Sequence, residues 1–152
     1  MPNAKIRNPG ERHYRIETLL GIWRVGFTDQ GLRRLSLPDS ARPTDWLALP
    51  ELDGQEGRLG RQVLETLARR LEGQRGDLPW ECFDLQGIAP FSQRLLAALY
   101  RIPHGEVRTY GWAAQEAGSP AALRAAGQAC GANPIVLFIP CHRIVAAQGP
   151  GG

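Results

Sequence analysis

The hydrophobic residues of this chain change their spacing partway along it, from the pattern of short strands to the pattern of helices. Residues 13–37 carry apolar side chains in short runs, with turn signals at residues 20–21 and 28–31, which predicts a small antiparallel meander. Residues 56–72 carry apolar side chains three and four apart and are followed by Gly73, which predicts a helix with a defined stop. The sequence therefore predicts an α+β fold, with a small N-terminal antiparallel sheet and a helix followed by a helical C-terminal domain.

Two further stretches of the first half are predicted less regularly. Residues 38–54 are rich in Pro, Asp and Gly and are expected to form a loop, whereas residues 80–90 read as one more strand and then a connection. Helical spacing begins directly afterwards, so a domain boundary is expected near residue 86. Residues 1–85 would form an N-terminal α/β domain, and residues 86–152 a C-terminal domain.

The second domain opens with two predicted helices. Residues 90–102 place apolar side chains on one face of a helix that stops at a Pro and a Gly. Residues 109–118 form a shorter helix, in which Thr109 is the expected N-cap and Gly118 the expected stop.

A third helix follows after a tight connection. Residues 119–134 are expected to begin with Ser119 as the cap and Pro120 at the first helical position. The apolar run at residues 135–140 is expected to be a buried extended segment. Two short helices joined in this way are typical of a helix-turn-helix, whose second helix would be residues 120–130.

That second helix, "PAALRAAGQAC", is unusually small in its side chains. Its only long polar side chains are Arg124 and Gln128, set among alanines and a glycine, whereas helices that read DNA sequence usually carry several Asn, Gln, Arg or Lys side chains. One interpretation is a buried helix that packs closely through its small residues. The other is a helix whose small face lets its backbone approach DNA, with Arg124 as a wedge that fills the space of an extruded base.

Charge and cysteine content narrow the possible partners and the compartment. The net charge is +3 and the pI about 9.1, nearly all of it from arginine, which favours a nucleic-acid partner without deciding it. The chain has no apolar run of membrane-spanning length, and its polar start does not resemble a signal peptide, so the cytoplasm is expected. Three cysteines are predicted to be free thiols, without metal-ligand spacing: Cys82, Cys130 and Cys141.

The octapeptide "FIPCHRIV", residues 138–145, combines reactive and core-forming side chains. Pro140 fixes the backbone before Cys141 and so holds the thiol at a defined place. Only a few per cent of an ordinary cysteine is thiolate at neutral pH, and His142 could raise that fraction as a base. The adjacency alone is weak evidence, and a structural thiol beside a histidine is the default interpretation of these residues taken alone.

The surrounding blocks identify a resemblance. "GEVRTYGWAA", "LRAAGQACGANP" and "NPIVLFIPCHRIV" occur in this order between about Phe91 and Val145, and together they resemble the O6-alkylguanine-DNA alkyltransferases, also called methylated-DNA–protein-cysteine methyltransferases. The tetrapeptide Pro-Cys-His-Arg followed by Ile or Val is highly specific to that family. The predicted N-terminal strands and helix agree with the family's small first domain.

The resemblance implies a set of catalytic roles. Cys141 would be the nucleophile that takes an alkyl group from guanine O6 and becomes a stable thioether. His142 would activate it through a water molecule, and Tyr110 would donate a hydrogen bond or a proton to the leaving purine. Each molecule would react once, and no cofactor or metal is implied.

The resemblance also implies DNA-contacting and structural roles. Arg124 would hold the duplex open where the damaged base is flipped out, and Asn133 would brace the active-site turn. Pro140 and Arg143 would be structural residues of that turn. The other residues expected to contact DNA are Thr109, Ala125, Ala126, Gly127 and Gln128. The expected partner is double-stranded DNA with O6-alkylated guanine, bound by a monomer without membrane association.

The chain departs from the family pattern after "IVAAQGPGG". Family members continue with a Gly-rich loop and a final helix, whose glutamate polarises the active-site histidine. Either the protein continues past residue 152, with "GPGG" as the opening of that loop, or it is a naturally short variant; we favour the first and expect the C-terminal domain to be truncated here. The alternative function is a module that binds alkylated DNA without repairing it. A sequence-specific regulator is disfavoured by the alanine-rich helix, and a cysteine hydrolase lacks any oxyanion-binding feature.

Overall fold

The computed structural model describes residues 10–38, 47–48 and 54–147 of the chain. It divides into two compact units, Met1–Asp84 and Leu85–Gly152, which are described separately below. That residues 1–85 and 86–152 are separate domains, each folding around its own core, remains a prediction. The expected loop at residues 38–54 and the "GPGG" ending lie largely outside the described residues.

The first unit is built on a four-stranded sheet. Its strands are β1 (Arg12–Thr18), β2 (Gly21–Thr28), β3 (Gly31–Ser36) and the short β4 (Leu47–Ala48), in the order β3-β2-β1-β4. The first three form the predicted antiparallel meander, and β4 pairs parallel to β1. The two tight turns start their next strands at glycines with positive φ, a backbone conformation that residues with a Cβ rarely adopt. The predicted meander is therefore confirmed.

One face of the sheet forms the core with a helix. The helix α1, Gly54–Leu71, confirms the helix predicted for residues 56–72. Two backbone hydrogen bonds close its end, from the N–H groups of Gly73 and Gln74, and Gly73 has a φ of +78°. Apolar side chains alternate along the strands, so that one set faces inward. The buried set comprises Tyr14, Ile16, Trp23, Val25, Phe27, Leu32, Leu35, Val63 and Leu67.

The opposite face of the sheet holds a buried cluster of charges. The Glu11 carboxylate is 2.9 Å from Arg34 Nε and 3.3 Å from His13 Nε2, and its side chain has 0% exposure. Arg24 Nε donates to His13 Nδ1 at 2.9 Å. Gly26 lies between these side chains, where a Cβ would collide with the carboxylate. The glycine therefore makes room for the carboxylate beside its cations.

Glu11→Gln is expected to destabilise the protein by about 3 kcal/mol at pH 7, because it leaves Arg34 buried without its counter-charge. Burial raises the pKa of the Glu11 carboxyl, but hydrogen bonds from His13 and Arg34 together with their charges outweigh it and hold the pKa at about 2, below the ordinary 4.5. The stabilisation is thus fully present above pH 4.5 and is lost as the pH falls through 2. Urea unfolding of the unaltered protein and of Glu11→Gln between pH 7 and 3 measures how the difference in their free energies of unfolding changes with pH.

Glu17→Gln is the matched control, because Glu17 lies in β1, which begins one residue after Glu11. Its carboxylate is 71% exposed and 3.4 Å from Arg15 Nε, so its loss is expected to cost less than about 1 kcal/mol. Equal losses for the two variants, or a Glu11 effect that persists unchanged at pH 3, would contradict the buried-pair account.

The strand predicted at residues 80–90 is wrong. Trp80–Cys82 form a short 3₁₀ helix, and only Phe83 makes a single bridge, to Leu32 of β3. Asp84 is buried, where its carboxylate accepts from Thr28 Oγ1 and its carbonyl accepts from Arg33 at 3.0 Å. Side-chain contacts to Asp84 therefore hold this segment, rather than a ladder of strand hydrogen bonds.

The second unit is mostly helical. It contains α2 (Pro90–Tyr100), β5 (Arg108–Thr109), α3 (Tyr110–Glu116), α4 (Leu123–Gly131) and β6 (Ile144–Val145). The three helices pack through leucines of α2 and through alanines of α3 and α4, whose small side chains permit close approach. The buried helix residues are Leu95, Leu96, Ala98, Leu99, Ala113, Ala114, Ala126, Ala129 and Cys130. Among the described helices, none combines the length and the apolar character needed to cross a membrane.

Candidate functional site

The start and end of α3 are fixed by local hydrogen bonds, as predicted. Thr109 Oγ1 accepts from the Trp112 backbone N–H at 3.0 Å, which makes Thr109 the N-cap and Tyr110 the first helical residue. At the other end Gly118 has a φ of +88°. Its N–H donates to Gln115 and the N–H of Ser119 donates to Ala114, each at 2.9 Å. These two hydrogen bonds end the helix before the connection to α4.

The predicted start of α4 is wrong by several residues. The helix begins at Leu123 with Ala122 as its N-cap, not at Pro120 with Ser119 as the cap. Ser119 is already used in the turn, because its carbonyl accepts from the Ala122 N–H at 2.9 Å. The two helices are therefore joined by residues 117–122, and the first turn of α4 lacks a side-chain cap.

The outward face of α4 consists of small residues except for Leu123, Arg124 and Gln128. Arg124 and Gln128 are exposed, Ala125 is half-buried, and a Cβ on Gly127 would meet no atom within 4 Å. Ala126 is fully buried against the other helices, which corrects its predicted place among the DNA-contacting residues. The rest of this predicted set can be reached from outside.

The segment before Cys141 is folded around the Asn133 side chain. Asn133 Nδ2 donates to the Ile139 carbonyl at 2.8 Å, and its Oδ1 accepts from the Ile135 N–H at 3.0 Å. The Ile139 N–H also donates to the Ile135 carbonyl at 3.1 Å, and Leu137 has a φ of +72°. Residues 135–140 are therefore mostly buried, as predicted, but form turns rather than the predicted extended segment.

Asn133→Asp is expected to lower the free energy of unfolding by about 3 kcal/mol. The substitution keeps an acceptor for Ile135 but removes the donor to Ile139 and sets a carboxylate against that buried carbonyl oxygen. Urea unfolding measures the loss. Gln115→Ala, on the exposed side of α3, is the control and is expected to change stability by less than about 0.5 kcal/mol. A similar small change for Asn133→Asp would show that the amide does not hold the turn.

Cys141 begins a single 3₁₀ turn that ends at Arg143. Cys141 is partly exposed and His142 is exposed, whereas Arg143 is buried. The Arg143 guanidinium donates to the Ile102 carbonyl at 2.8 Å and lies 3.1 Å from His104 Nδ1. Arg143 therefore anchors the turn from inside, while Cys141 and His142 keep part of their surface exposed.

A short parallel pairing connects this turn with α3. Arg108 and Thr109 of β5 pair with Ile144 and Val145 of β6. Tyr110, which is half-buried, follows β5 directly as the first residue of α3. The pairing therefore ties the segment that carries Cys141 to the segment that carries the predicted tyrosine.

The three thiols differ in their surroundings. Burial raises the pKa of Cys130 to about 11, with a smaller contribution from nearby Cys141. Burial also raises the pKa of Cys82, assisted by the charge of Glu81. Cys130 is therefore protonated at neutral pH and closed off in the core, whereas Cys141 is the more exposed cysteine of this unit.

Sequence patterns had missed several residues around the site. The Arg108 guanidinium lies 5.7 Å from the centroid of the Trp112 ring, a cation–π contact that the i, i+4 spacing at a helix start could have indicated. Leu123 is 54% exposed on α4, and the misplaced helix start had hidden its position. The part of the chain that the structure describes contains no group of three or more His, Cys, Asp and Glu side chains suited to a metal ion.

An open cavity of about 780 Å³ occurs in the first unit, between the β2–β3 turn, α1 and the 3₁₀ helix. Its lining mixes charges of both signs, from Arg12, Arg58 and Arg61 to Asp29 and Glu65. None of the predicted site residues lines it.

Comparison with known proteins supplies independent information. Residues 90–152 match the family described as "6-O-methylguanine DNA methyltransferase, DNA binding domain". The chain is 31% identical over 137 residues to a probable methylated-DNA–protein-cysteine methyltransferase of Acanthamoeba polyphaga mimivirus, covering 90% of this chain and 83% of the relative. It is 33% identical over 137 residues to the methylated-DNA–protein-cysteine methyltransferase of Mycolicibacterium paratuberculosis, covering 88% of this chain and 78% of the relative.

The fold also resembles a solved structure. A crystal structure of Mycobacterium tuberculosis OGT in complex with DNA superposes with a TM-score of 0.72 at 31% sequence identity. The match covers 93% of this chain and 83% of that one. The similarity therefore extends over both units of the chain.

Proposed function

The chain belongs to the family of methylated-DNA–protein-cysteine methyltransferases, and from that membership we propose that Cys141 is its reactive residue. The protein repairs alkylated DNA directly, by irreversible transfer of an alkyl group from guanine O6 to one of its own cysteines. The observation that supports Cys141 is its partly exposed position on a turn braced by Asn133 and Arg143. The second thiol of this unit, Cys130, is buried and protonated.

The proposed reaction is an in-line displacement at the alkyl carbon. The thiol proton passes to His142 through a water molecule, and the thiolate sulfur forms a bond to the alkyl carbon. The bond from that carbon to guanine O6 breaks with its electron pair on the purine. Because an aromatic oxygen leaves reluctantly, the Tyr110 hydroxyl donates a proton to the purine as the bond breaks. The products are a thioether on Cys141 and unmodified guanine.

A thioether is not hydrolysed under ordinary conditions, so each molecule reacts once.

The proposed position of Tyr110 rests on two features of its surroundings. Thr109 caps the helix that Tyr110 begins, and β5, which precedes it, pairs with the strand that follows the cysteine turn. Both restrict where the phenol can point.

DNA is proposed to bind along the outward face of α4. A base inside a duplex is out of reach of a thiol, so the alkylated guanine has to leave the stack. Arg124 is exposed in the first turn of α4 and is proposed to fill the space that the guanine leaves. Thr109, Ala125, Gly127 and Gln128 complete the proposed contact surface. Because Ala122 has no side chain that could cap the helix, the first N–H groups of α4 are free for a phosphate oxygen.

The comparisons do not favour the alternative of a binding module without repair. For the location we propose the cytoplasm, because all three cysteines are unpaired and thiols stay reduced in that compartment. A monomer remains our expectation for the repair complex.

The test is a single-turnover transfer assay read by intact mass. The protein is mixed with duplex DNA that carries one O6-methylguanine, and the digested product is mapped. A gain of one methyl group on Cys141 is expected. Tight binding without a gain in mass would instead support the binding-module alternative, and methylation of another residue would overturn the assignment of Cys141.

A further inference from the structure

Leu123 is an exposed apolar side chain in an unusual place. It is the first residue of α4 and is 54% exposed, directly before Arg124. The other outward residues of this helix are small or polar, so Leu123 is its one large apolar projection among the described residues. Single exposed leucines are common on protein surfaces, so what distinguishes Leu123 is its place on the outward face of α4 beside Arg124.

The direction of the Leu123 side chain is restricted by α3. A Cβ built on Gly111 would lie 3.9 Å from Leu123 Cδ2, which is ordinary van der Waals contact. The leucine therefore rests near the first turn of α3, one residue beyond Tyr110. Its other side is open, in the corner between the starts of the two helices.

That corner is continuous with the surface that the proposed function assigns to DNA. Arg124 follows in sequence on the same turn, and the uncapped N–H groups of α4 lie at the same end of the helix. Proteins that open a base step from the minor groove often insert an apolar side chain between base pairs, because unstacked base faces and deoxyribose are apolar surfaces.

We propose that Leu123 packs against the base pair and sugar next to the extruded guanine, as the apolar half of a wedge whose charged half is Arg124. The inference rests on the proposed function and deepens it. Leu123 is a positioning residue: it stabilises the opened duplex and takes no part in the chemistry at Cys141. Its occupant is therefore duplex DNA, not a protein partner.

The experiment compares two substrates in single-turnover transfer: duplex DNA with O6-methylguanine and an O6-alkylguanine supplied as the free base. Leu123→Ala is expected to slow transfer from the duplex roughly tenfold, the effect of uncovering about one leucine side chain, and to leave transfer from the free base unchanged. Leu123→Met, which restores length and apolar character, is expected to recover most of the duplex rate. Leu20→Ala, an exposed leucine in the β1–β2 turn, is the control and should react like the unaltered protein with both substrates.

The outcomes separate this inference from the proposed function. If the unaltered protein alkylates Cys141 from neither substrate, the proposed function fails. If it reacts and Leu123→Ala slows both substrates equally, the leucine shapes the active site and the wedge is wrong. A duplex rate that is unchanged or faster in Leu123→Ala, or a loss that Leu123→Met does not recover, would likewise overturn it.

Discussion

Replacing Cys141 with alanine is expected to abolish alkyl transfer while leaving binding to alkylated DNA close to that of the unaltered protein. The substitution removes the only proposed nucleophile, and no neighbouring thiol can replace it. Cys130 is nearby, but burial raises its pKa to about 11 and closes it off in the core. Intact mass after mixing with O6-methylguanine duplex measures transfer, and titration of fluorescent duplex measures binding.

Cys82→Ala is the matched control, because Cys82 is a partly exposed thiol of the first unit. It is expected to gain one methyl group as fast as the unaltered protein does. A methyl group that appears in Cys141→Ala would refute the assignment, and peptide mapping would then identify the true acceptor. Loss of binding together with transfer would mean that the turn had been disrupted, which the unfolding curve of the variant would reveal.

The elements that sequence alone predicted well are those whose signals are local. Thr109 and Gly118 delimit α3 because a side-chain hydroxyl and a left-handed backbone act within one turn of the residues that carry them. The strand meander and α1 follow from hydrophobic spacing over whole elements, which averages over single misleading residues. Helix ends that are set by capping residues, and elements that are set by hydrophobic spacing over their whole length, can therefore be predicted from the sequence.

The secondary-structure predictions were wrong where a residue contacts another that is distant in sequence, or where two adjacent sequence motifs compete for the same residue. Ser119 followed by Pro120 matches a helix start, yet Ser119 completes the end of α3 and the turn after it. Residues 80–90 have strand composition, but the buried contacts of Asp84 to β2 and β3 hold them in another form. The turns of residues 135–139 involve both ends of the Asn133 amide: the contact with Ile135, two residues on, has Asx-turn spacing, whereas no spacing rule identifies the Ile139 carbonyl as the second partner.

The candidate site divides in the same way. A resemblance in short blocks was sufficient to propose Cys141, His142 and Tyr110, because those blocks are specific to one chemistry. It was insufficient for Ala126, whose burial depends on packing between helices, and it did not indicate the Ile102 and His104 partners of Arg143. Contacts that support a site come from several elements at once, so the motif that carries the chemistry does not contain them.

Arg124→Ala is expected to slow transfer from duplex DNA by roughly 30- to 100-fold, the equivalent of the few kcal/mol needed to hold a base out of the stack. Transfer from an O6-alkylguanine free base is expected to stay unchanged, because no duplex has to be opened. The duplex transfer rate of Arg124→Lys is expected to lie between those of the unaltered protein and Arg124→Ala, since an ammonium keeps the charge but not the planar shape that stacks between bases. Single-turnover rates on both substrates measure these differences.

Arg101→Ala is the control for lost positive charge. Arg101 is exposed in the same unit and makes only a surface pair, 3.5 Å from Glu116, so its removal is expected to change both rates little. A wedge and a general electrostatic contact also differ in their salt dependence, because a lost phosphate contact weakens binding to every duplex and lowers the salt slope. Equal losses on the duplex and on the free base would place the action of Arg124 at the reacting thiol, and the account of a duplex held open by α4 would then be wrong.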